Sequence, residues 1–262
     1  MTRDLPGDLW KSLTSTVGLV CARDARIGTT NVMAAEWSYF VNKQPLYLAV
    51  VLGPRAVTGS LITAAGEFSV TLCAEDQAGI ADFAGSFSVA DVDKTGSELL
   101  RFGTPEATRT PWITGGVLAV ECELRQTVPL PVHTAYFGEV VTAHLPERPA
   151  RPLVKHGAMH TLGAPARRSA VVTAAERTRG DRIRVAATCP DQDTSVPWRI
   201  SLLDADGVPT PLGTHHSTSR GDLLVDVVLP AGLGARDLHG HRVVVERAGA
   251  ESGSTRISVV PR

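Results

Sequence analysis

The sequence predicts a mainly β chain in two parts, and three observations carry that reading. Short apolar runs, Val17–Ala22, Leu46–Leu52 and Phe68–Leu72, are each bounded by polar, Gly- and Thr-bearing stretches, the signature of buried strands. Leu118–Val128 and Ala135–Ala143 alternate apolar and polar residues, the period of strands that show one face to a core. From about residue 166 the patterning is strand-like throughout, with turn signals such as Asp204-Ala205-Asp206-Gly207 between the runs. Six or seven short strands in some 90 residues predict an immunoglobulin- or fibronectin-like β-sandwich.

The elements follow in order. Residues 5–16 predict a short amphipathic helix, with Leu9, Trp10 and Leu13 on one face and Thr14 at its end. Arg23 to Gly28 predicts a turn, and Asn31 to Trp37 a strand. From Thr58 to Ala65 the apolar positions 61, 62 and 65 have helical spacing; Thr58 is placed to N-cap that helix and Gly66 to end it. Residues 76–83 predict a second helix, and 85–96 a loop carrying Asp91 and Asp93. The Pro- and Arg-rich stretch from Pro146 predicts a loop, and residues 163–168, ending in Arg167-Arg168, predict the linker. Domains are therefore expected over 1–165 and 166–262, the second with strands at 170–175, 182–187, 198–203, 223–228, 242–246 and 255–260.

Composition excludes several function classes. At 262 residues the chain can bury a real core, and a formal net charge of −1 provides no field for nucleic acid or an anionic membrane. No apolar run approaches the 18 residues of a membrane span, and MTRDLPGDLWKSL has no signal core, so a cytoplasmic protein is expected. Cys21, Cys73, Cys122 and Cys189 are widely spaced and form no C-x-x-C pair, which predicts buried thiols without a disulfide framework or zinc site. His156 and His160 have the i, i+4 spacing of metal ligands, but Gly157 argues against a helix there; His215-His216 and His239-x-His241 have no cysteine or acidic cluster beside them. No G-x-S-x-G, G-x-G-x-x-G or Walker loop is present. The bias toward Ala, Arg and Val over Lys is one associated with high-GC bacteria.

The Thr29-Thr30-Asn31 loop and the Gly53-Pro54-Arg55-Ala56-Val57-Thr58 turn bring hydroxyls, an amide, backbone N–H groups and a guanidinium toward one end of a sheet. That is a sensible way to hold a phosphate. The chain also carries, in order, Thr30-Asn31-Val32, Ala35-x-Trp37, Gln44-Pro45-Leu46, Gly53-Pro54-Arg55-x-x-Thr58, Gly66-Glu67-Phe68 and Asp93-Lys94. Leu118-x-x-Glu121-Cys122, His133-Thr134-x-x-x-Gly138-Glu139-Val140 and Leu153-x-x-His156-Gly157 follow. In this order and spacing residues 8 to 165 resemble the flavin reductase-like family, whose members bind FMN on a split β-barrel.

The resemblance implies an FMN site (FAD is possible) formed by Asn31, Ala35, Glu36, Trp37, Asn42, Lys43, Arg55, Thr58 and His156, with Arg55 on the phosphate. It also implies NAD(P)H as a transient co-substrate, His133 near the nicotinamide, a homodimer with FMN near the interface, and a possible monooxygenase partner. Trp37, Tyr39, Phe40 and Trp112 are the candidates for stacking on a ring. Taken alone, Arg55 is a surface arginine in a turn, Asn42 a turn residue and His133 a loop histidine. Glu36 stands where many members have a small polar residue; a carboxylate there must point away or pair, with Lys43 or Arg55, so that either strand alternation turns it outward, or it acts as an acid or base, or the pocket holds something other than FMN. His156-Gly157-Ala158-Met159-His160 replaces an arginine–tyrosine pair of related reductases.

Three functions are thus carried forward. The first is an NAD(P)H:flavin oxidoreductase, with catalytic candidates His133 and Glu36. The second is a split-barrel enzyme diverted to a dedicated, possibly biosynthetic, reaction with FMN, haem or no cofactor. The third is a non-catalytic flavin carrier or partner-docking protein.

Overall fold

A computed structural model describes residues 5–23, 30–89, 92–166, 169–190, 192–231, 233 and 238–258. The expected turn at 24–28, Thr29, Asp91, Arg167-Arg168 and the end of the last strand beyond 258 lie outside the described residues. The chain forms two compact units, Met1–Ala164 and Pro165–Arg262.

The first unit contains β1 (Ser15–Thr16), β2 (Gly18–Arg23), β3 (Thr30–Ala35), β4 (Ser38–Lys43), β5 (Leu46–Leu52), α1 (Val57–Ala65), β6 (Glu67–Leu72) and α2 (Ala78–Ser86). After these come β7 (Phe102–Gly103), β8 (Trp112–Ile113), β9 (Leu118–Pro129), β10 (Thr134–His144), β11 (Leu153–His156) and β12 (Ala158–Thr161). Seven strands pair antiparallel in the order β3-β2-β6-β9-β10-β5-β4; β1-β11-β12 and β7-β8 form smaller sheets. The strand β2 explains why its sequence is continuously apolar. Its Val20 and Ala22 join one core cluster, with Leu48, Val50, Phe68 and Val120. Its Leu19 and Cys21 join another, on the opposite face, with Ala81 and Ala84 of α2 and Leu153 of β11. A strand covered on both sides loses its alternation.

Two glycines permit this packing. Gly66 ends α1 with φ of 70°, in the left-handed region. A Cβ on Gly138 would stand 2.6 Å from the Phe68 ring and 2.7 Å from the Cys122 Cβ, so β10 passes over the core only as glycine.

Two carboxylates, Glu67 of β6 and Glu121 of β9, are buried in the sheet and fasten the loop at 106–110. Glu121 accepts N–H bonds from Glu106, Ala107 and Thr108, at 2.7, 3.0 and 2.7 Å, and a 2.8 Å bond from the Thr108 hydroxyl. His144 Nε2 lies 2.8 Å away, with its ring stacked on Trp112. Glu67 accepts from the Arg109 N–H and the Thr110 hydroxyl. Desolvation pushes the Glu121 carboxyl up, but these donors outweigh it and draw it down to about 2.

The second unit has β13 (Val172–Arg177), β14 (Arg182–Thr188), β15 (Trp198–Leu203), β16 (Pro209–His215), β17 (Leu223–Val228), β18 (Arg242–Arg247) and β19 (Gly253–Ser258), ordered β16-β15-β18-β19-β13-β14-β17. Alternating residues such as Ile183, Val185, Trp198, Ile200, Leu202, Val243 and Val245 form its core. The fully buried Trp198 donates its indole N–H to Ser217 at 3.0 Å. The Arg247 guanidinium covers its ring at 4.6 Å and ties in the carbonyls of Gly221 and Asp193.

Three expectations are corrected. The N-terminal segment is a 3₁₀ turn, Leu9–Ser12, with no buried residue, instead of a helix over 5–16; Ser15 and Thr16 pair with β11, leaving too few residues for a stable helix. Thr58 does not cap α1, because Ala56 precedes the first helical residue and the Thr58 hydroxyl accepts from Asn31 Nδ2 at 2.9 Å. Strands β4, β11, β12 and β16 are not among those expected; β16 carries Pro209 and Pro211 on an edge, where a missing N–H is tolerated.

Candidate functional site

The β5–β10 register fixes the centre of the site. Leu52 pairs with Thr134, so the next residue of the first strand, Gly53, meets the preceding residue of the second, His133. A Cβ on Gly53 would lie 3.8 Å from His133 Nε2. On either side of this junction lies a cavity. The larger, about 810 Å³, runs from Arg55, Ala56, Val57 and Thr58 at the start of α1 to Ser86, Phe87 and Ser88 at the end of α2 and just beyond it, with Asn31 and Lys94 in its wall. The smaller, about 360 Å³, is enclosed by Trp10, Glu36, Trp37 and His133 over Ala34, Ala35, Val51 and Leu52. Met33, Gly53 and His133 line both.

The two cavities differ in chemistry. The larger offers the Arg55 guanidinium, the Ser86 hydroxyl, and the first N–H groups of the nine-residue helix α1. Arg55 is exposed and is in none of the ion pairs found among the described residues. The Asn31–Thr58 bond ties β3 to α1 and so holds that end rigid. In the smaller cavity Trp37 lies edge-on to Trp10, with ring centroids 6.2 Å apart, and tilted on His133 at 5.1 Å. The buried Trp37 Nε1 has no hydrogen-bond partner among the described residues. Glu36 is drawn to Lys155 of β11 at 3.4 Å, not to Lys43 or Arg55. Nearby, burial pushes the Tyr39 hydroxyl up, and the Glu36 charge adds to this.

The structure therefore brings Asn31, Arg55, Thr58 and His133 to the larger cavity, and Ala35, Glu36, Trp37 and His133 to the smaller. It leaves three expected residues apart. Asn42 closes the β4–β5 turn by donating to the Pro45 carbonyl at 2.7 Å, and Lys43 is exposed on the same turn. His156 is exposed beside the Thr14 hydroxyl at 3.3 Å. Gly157, with φ of 69°, turns β11 back into β12, so His156 and His160 occupy a hairpin, not a helix face. No group of three metal-ligating side chains occurs among the described residues. Of the four stacking candidates, Trp37 alone is among the residues lining these two cavities, and Trp112 stacks on His144. Sequence reasoning missed Trp10, Met33, Ser86, Phe87 and Ser88, and gave no role to Lys94 although its pair with Asp93 is part of the motif series. Trp10 had a signal, an indole in a segment too short to bury it.

A near-closed antiparallel sheet of seven strands with this pair of cavities is the split-barrel class of fold. The profile of the flavin reductase like domain matches residues 10–163. The chain belongs to the flavin reductase-like family. Among solved structures it resembles flavoredoxin from Methanosarcina acetivorans, with 25% identity, a TM-score of 0.54, and 63% of this chain and 91% of that one covered. It also resembles the NADH:FAD oxidoreductase SgcE6 of Streptomyces globisporus C-1027, at 20% identity and TM-score 0.53 over 59% of this chain and 90% of that one. The styrene monooxygenase flavin reductase of Pseudomonas putida S12 has 22% identity and TM-score 0.53, covering 60% of this chain and 96% of its own. These coverages fit the first unit alone. No curated protein sequence matches the chain.

Proposed function

We propose that the first unit binds a flavin across the two cavities and reduces it with NAD(P)H. The observation that carries this is the junction at Met33, Gly53 and His133, where a cation- and hydroxyl-lined cavity opens into an aromatic one. The residues fit the group: a phosphate finds Arg55 and the α1 amides, while a planar ring finds Trp37, its unpartnered indole N–H, and the space kept by Gly53. Bound flavin supplies hydride acceptance at N5 from reduced nicotinamide, chemistry that belongs to the cofactor. Arg55 and α1 anchor the phosphate end. Trp10 and Trp37 exclude water from the smaller cavity, and His133 at the junction holds or releases a proton beside it. Glu36, neutralised by Lys155, supports the smaller cavity's rim.

Two wider proposals accompany this reading. Asn42, Lys43 and His156 lie on exposed elements away from both cavities, and β4 exposes Phe40 and Val41; a homodimer would cover that face and carry those residues toward its partner's flavin. The styrene monooxygenase reductase serves a monooxygenase, and a similar acceptor is proposed here.

The test is an anaerobic absorbance titration of the purified chain with FMN and FAD, followed by NADH or NADPH. Bleaching of the flavin bands with multiple turnovers supports the reductase. Flavin that binds and stays oxidised favours the second reading, a diverted split-barrel enzyme, for which Glu36 on the cavity wall is the specific observation. Absence of flavin binding overturns the reductase and leaves the diverted enzyme with haem or no cofactor.

A further inference from the structure

The second unit has two edge strands, and they are built differently. β16 carries Pro209, Pro211 and a register shift opposite Ile200 and Ser201, devices that block pairing with another strand. β17, with the sequence LLVDVV, has no proline and no register shift, and β14 is its only strand neighbour among the described residues. Leu229, just past its end, donates its N–H to the Asp181 carbonyl at 2.7 Å. Antiparallel alternation then turns the N–H and C=O groups of Leu223, Val225 and Val227 to β14, and those of Leu224, Asp226 and Val228 to the open edge. Leu224 and Val228 are 62% and 49% exposed, and Val225 is buried only in part although it packs on the core. Such an edge is a template for one more strand.

The charges around β17 select that strand. Asp226 is neutralised by Arg184, which donates to it at 2.9 and 3.1 Å. Arg182, opposite Val228 on β14, and Asp222, just before β17, are in none of the ion pairs found among the described residues. Nor is Arg220, two residues from Asp222. An unpaired cation at one end of the edge and an unpaired carboxylate at the other form a pattern complementary to itself after a half-turn. A second β17 laid antiparallel with Val225 opposite Val225 sets Leu224 against Asp226, Leu223 against Val227, and Asp222 against Val228. Each Asp222 then lies within reach of the other copy's Arg182, and no like charges stand directly opposite.

We propose that β17 is an interface between two copies of this chain, paired antiparallel about a twofold axis at Val225 and joining their β13-β14-β17 sheets into one. The pairing does not depend on what the first unit binds.

The test uses the full chain with Val225→Cys. At the axis the two residues 225 form a closely spaced, non-hydrogen-bonded pair, with Cα atoms about 4.5 Å apart. Mild oxidation should give a covalent dimer on a non-reducing gel, at least about tenfold faster than Val208→Cys, an exposed control in the turn before β16. The native cysteines are buried and contribute nothing. In the unlabelled chain, sedimentation equilibrium should show Leu224→Lys weakening association about tenfold. Arg182→Asp and Asp222→Arg should each weaken it about threefold or more, and the two together should restore it. Thermal melts verify that each variant is folded. Cross-linking no faster than the control, or association that ignores Leu224→Lys, overturns the interface. Loss without rescue in the double variant overturns the register centred on Val225.

Discussion

Glu121 is fully buried yet ionised, and the loop at 106–110 depends on it staying so. Its pKa is drawn to about 2 from an ordinary 4.5. A depressed carboxylate contributes stability above its unfolded pKa and loses it as pH falls through the folded one. The first unit should therefore weaken steadily between pH 4.5 and about 2, as urea midpoints measured across that range would record. Glu121→Gln should cost about 3 kcal/mol at neutral pH and flatten that dependence. At the opposite extreme, Arg55 is exposed and holds nothing in place. Arg55→Ala should weaken FMN binding at least about tenfold while leaving riboflavin, which has no phosphate, unchanged in the same titration. Arg55, Trp37 and His133 were legible because turn chemistry and a motif series mark them. Lys155 as the partner of Glu36 was not, since only the pairing of β11 with β1 brings it near.

Elements were legible where burial and local pattern agree. Leu46–Leu52, Trp198–Leu203 and Leu223–Val228 are strands with the bounds their apolar runs predict. Where tertiary context decides, the sequence is silent or misleading. Pro209 and Pro211 look like loop residues until the strand is known to be an edge. Leu9, Trp10 and Leu13 have helical spacing but no core to enter: Trp10 meets the edge of Trp37, and the three remain 53%, 47% and 50% exposed. Removing residues 1–13 should accordingly leave the melting temperature nearly unchanged, since no described residue there is buried, while stripping Trp10 from the smaller cavity. Flavin-induced quenching of tryptophan fluorescence would fall. Gly138→Ala acts on the opposite kind of position: with Phe68 and Cys122 already in contact, it should cost about 1–3 kcal/mol in urea unfolding.

At the scale of the molecule, two separate cores imply two separable stabilities. Scanning calorimetry should resolve two transitions, and residues 1–164 produced alone should fold and bind flavin as the full chain does. A single transition with no folded fragment would show the units to be interdependent.

All four cysteines are buried, three in the first unit and Cys189 in the second. Burial pushes the Cys21 and Cys73 thiols up to about 12 and raises Cys122 as well. A thiol that is neither accessible nor ionised reacts with an alkylating reagent only when its surroundings open. The chain thus carries its own set of unfolding clocks. Alkylation followed residue by residue by mass spectrometry would time the opening of β2, the β6 end and β9 against that of the sandwich, with no label introduced.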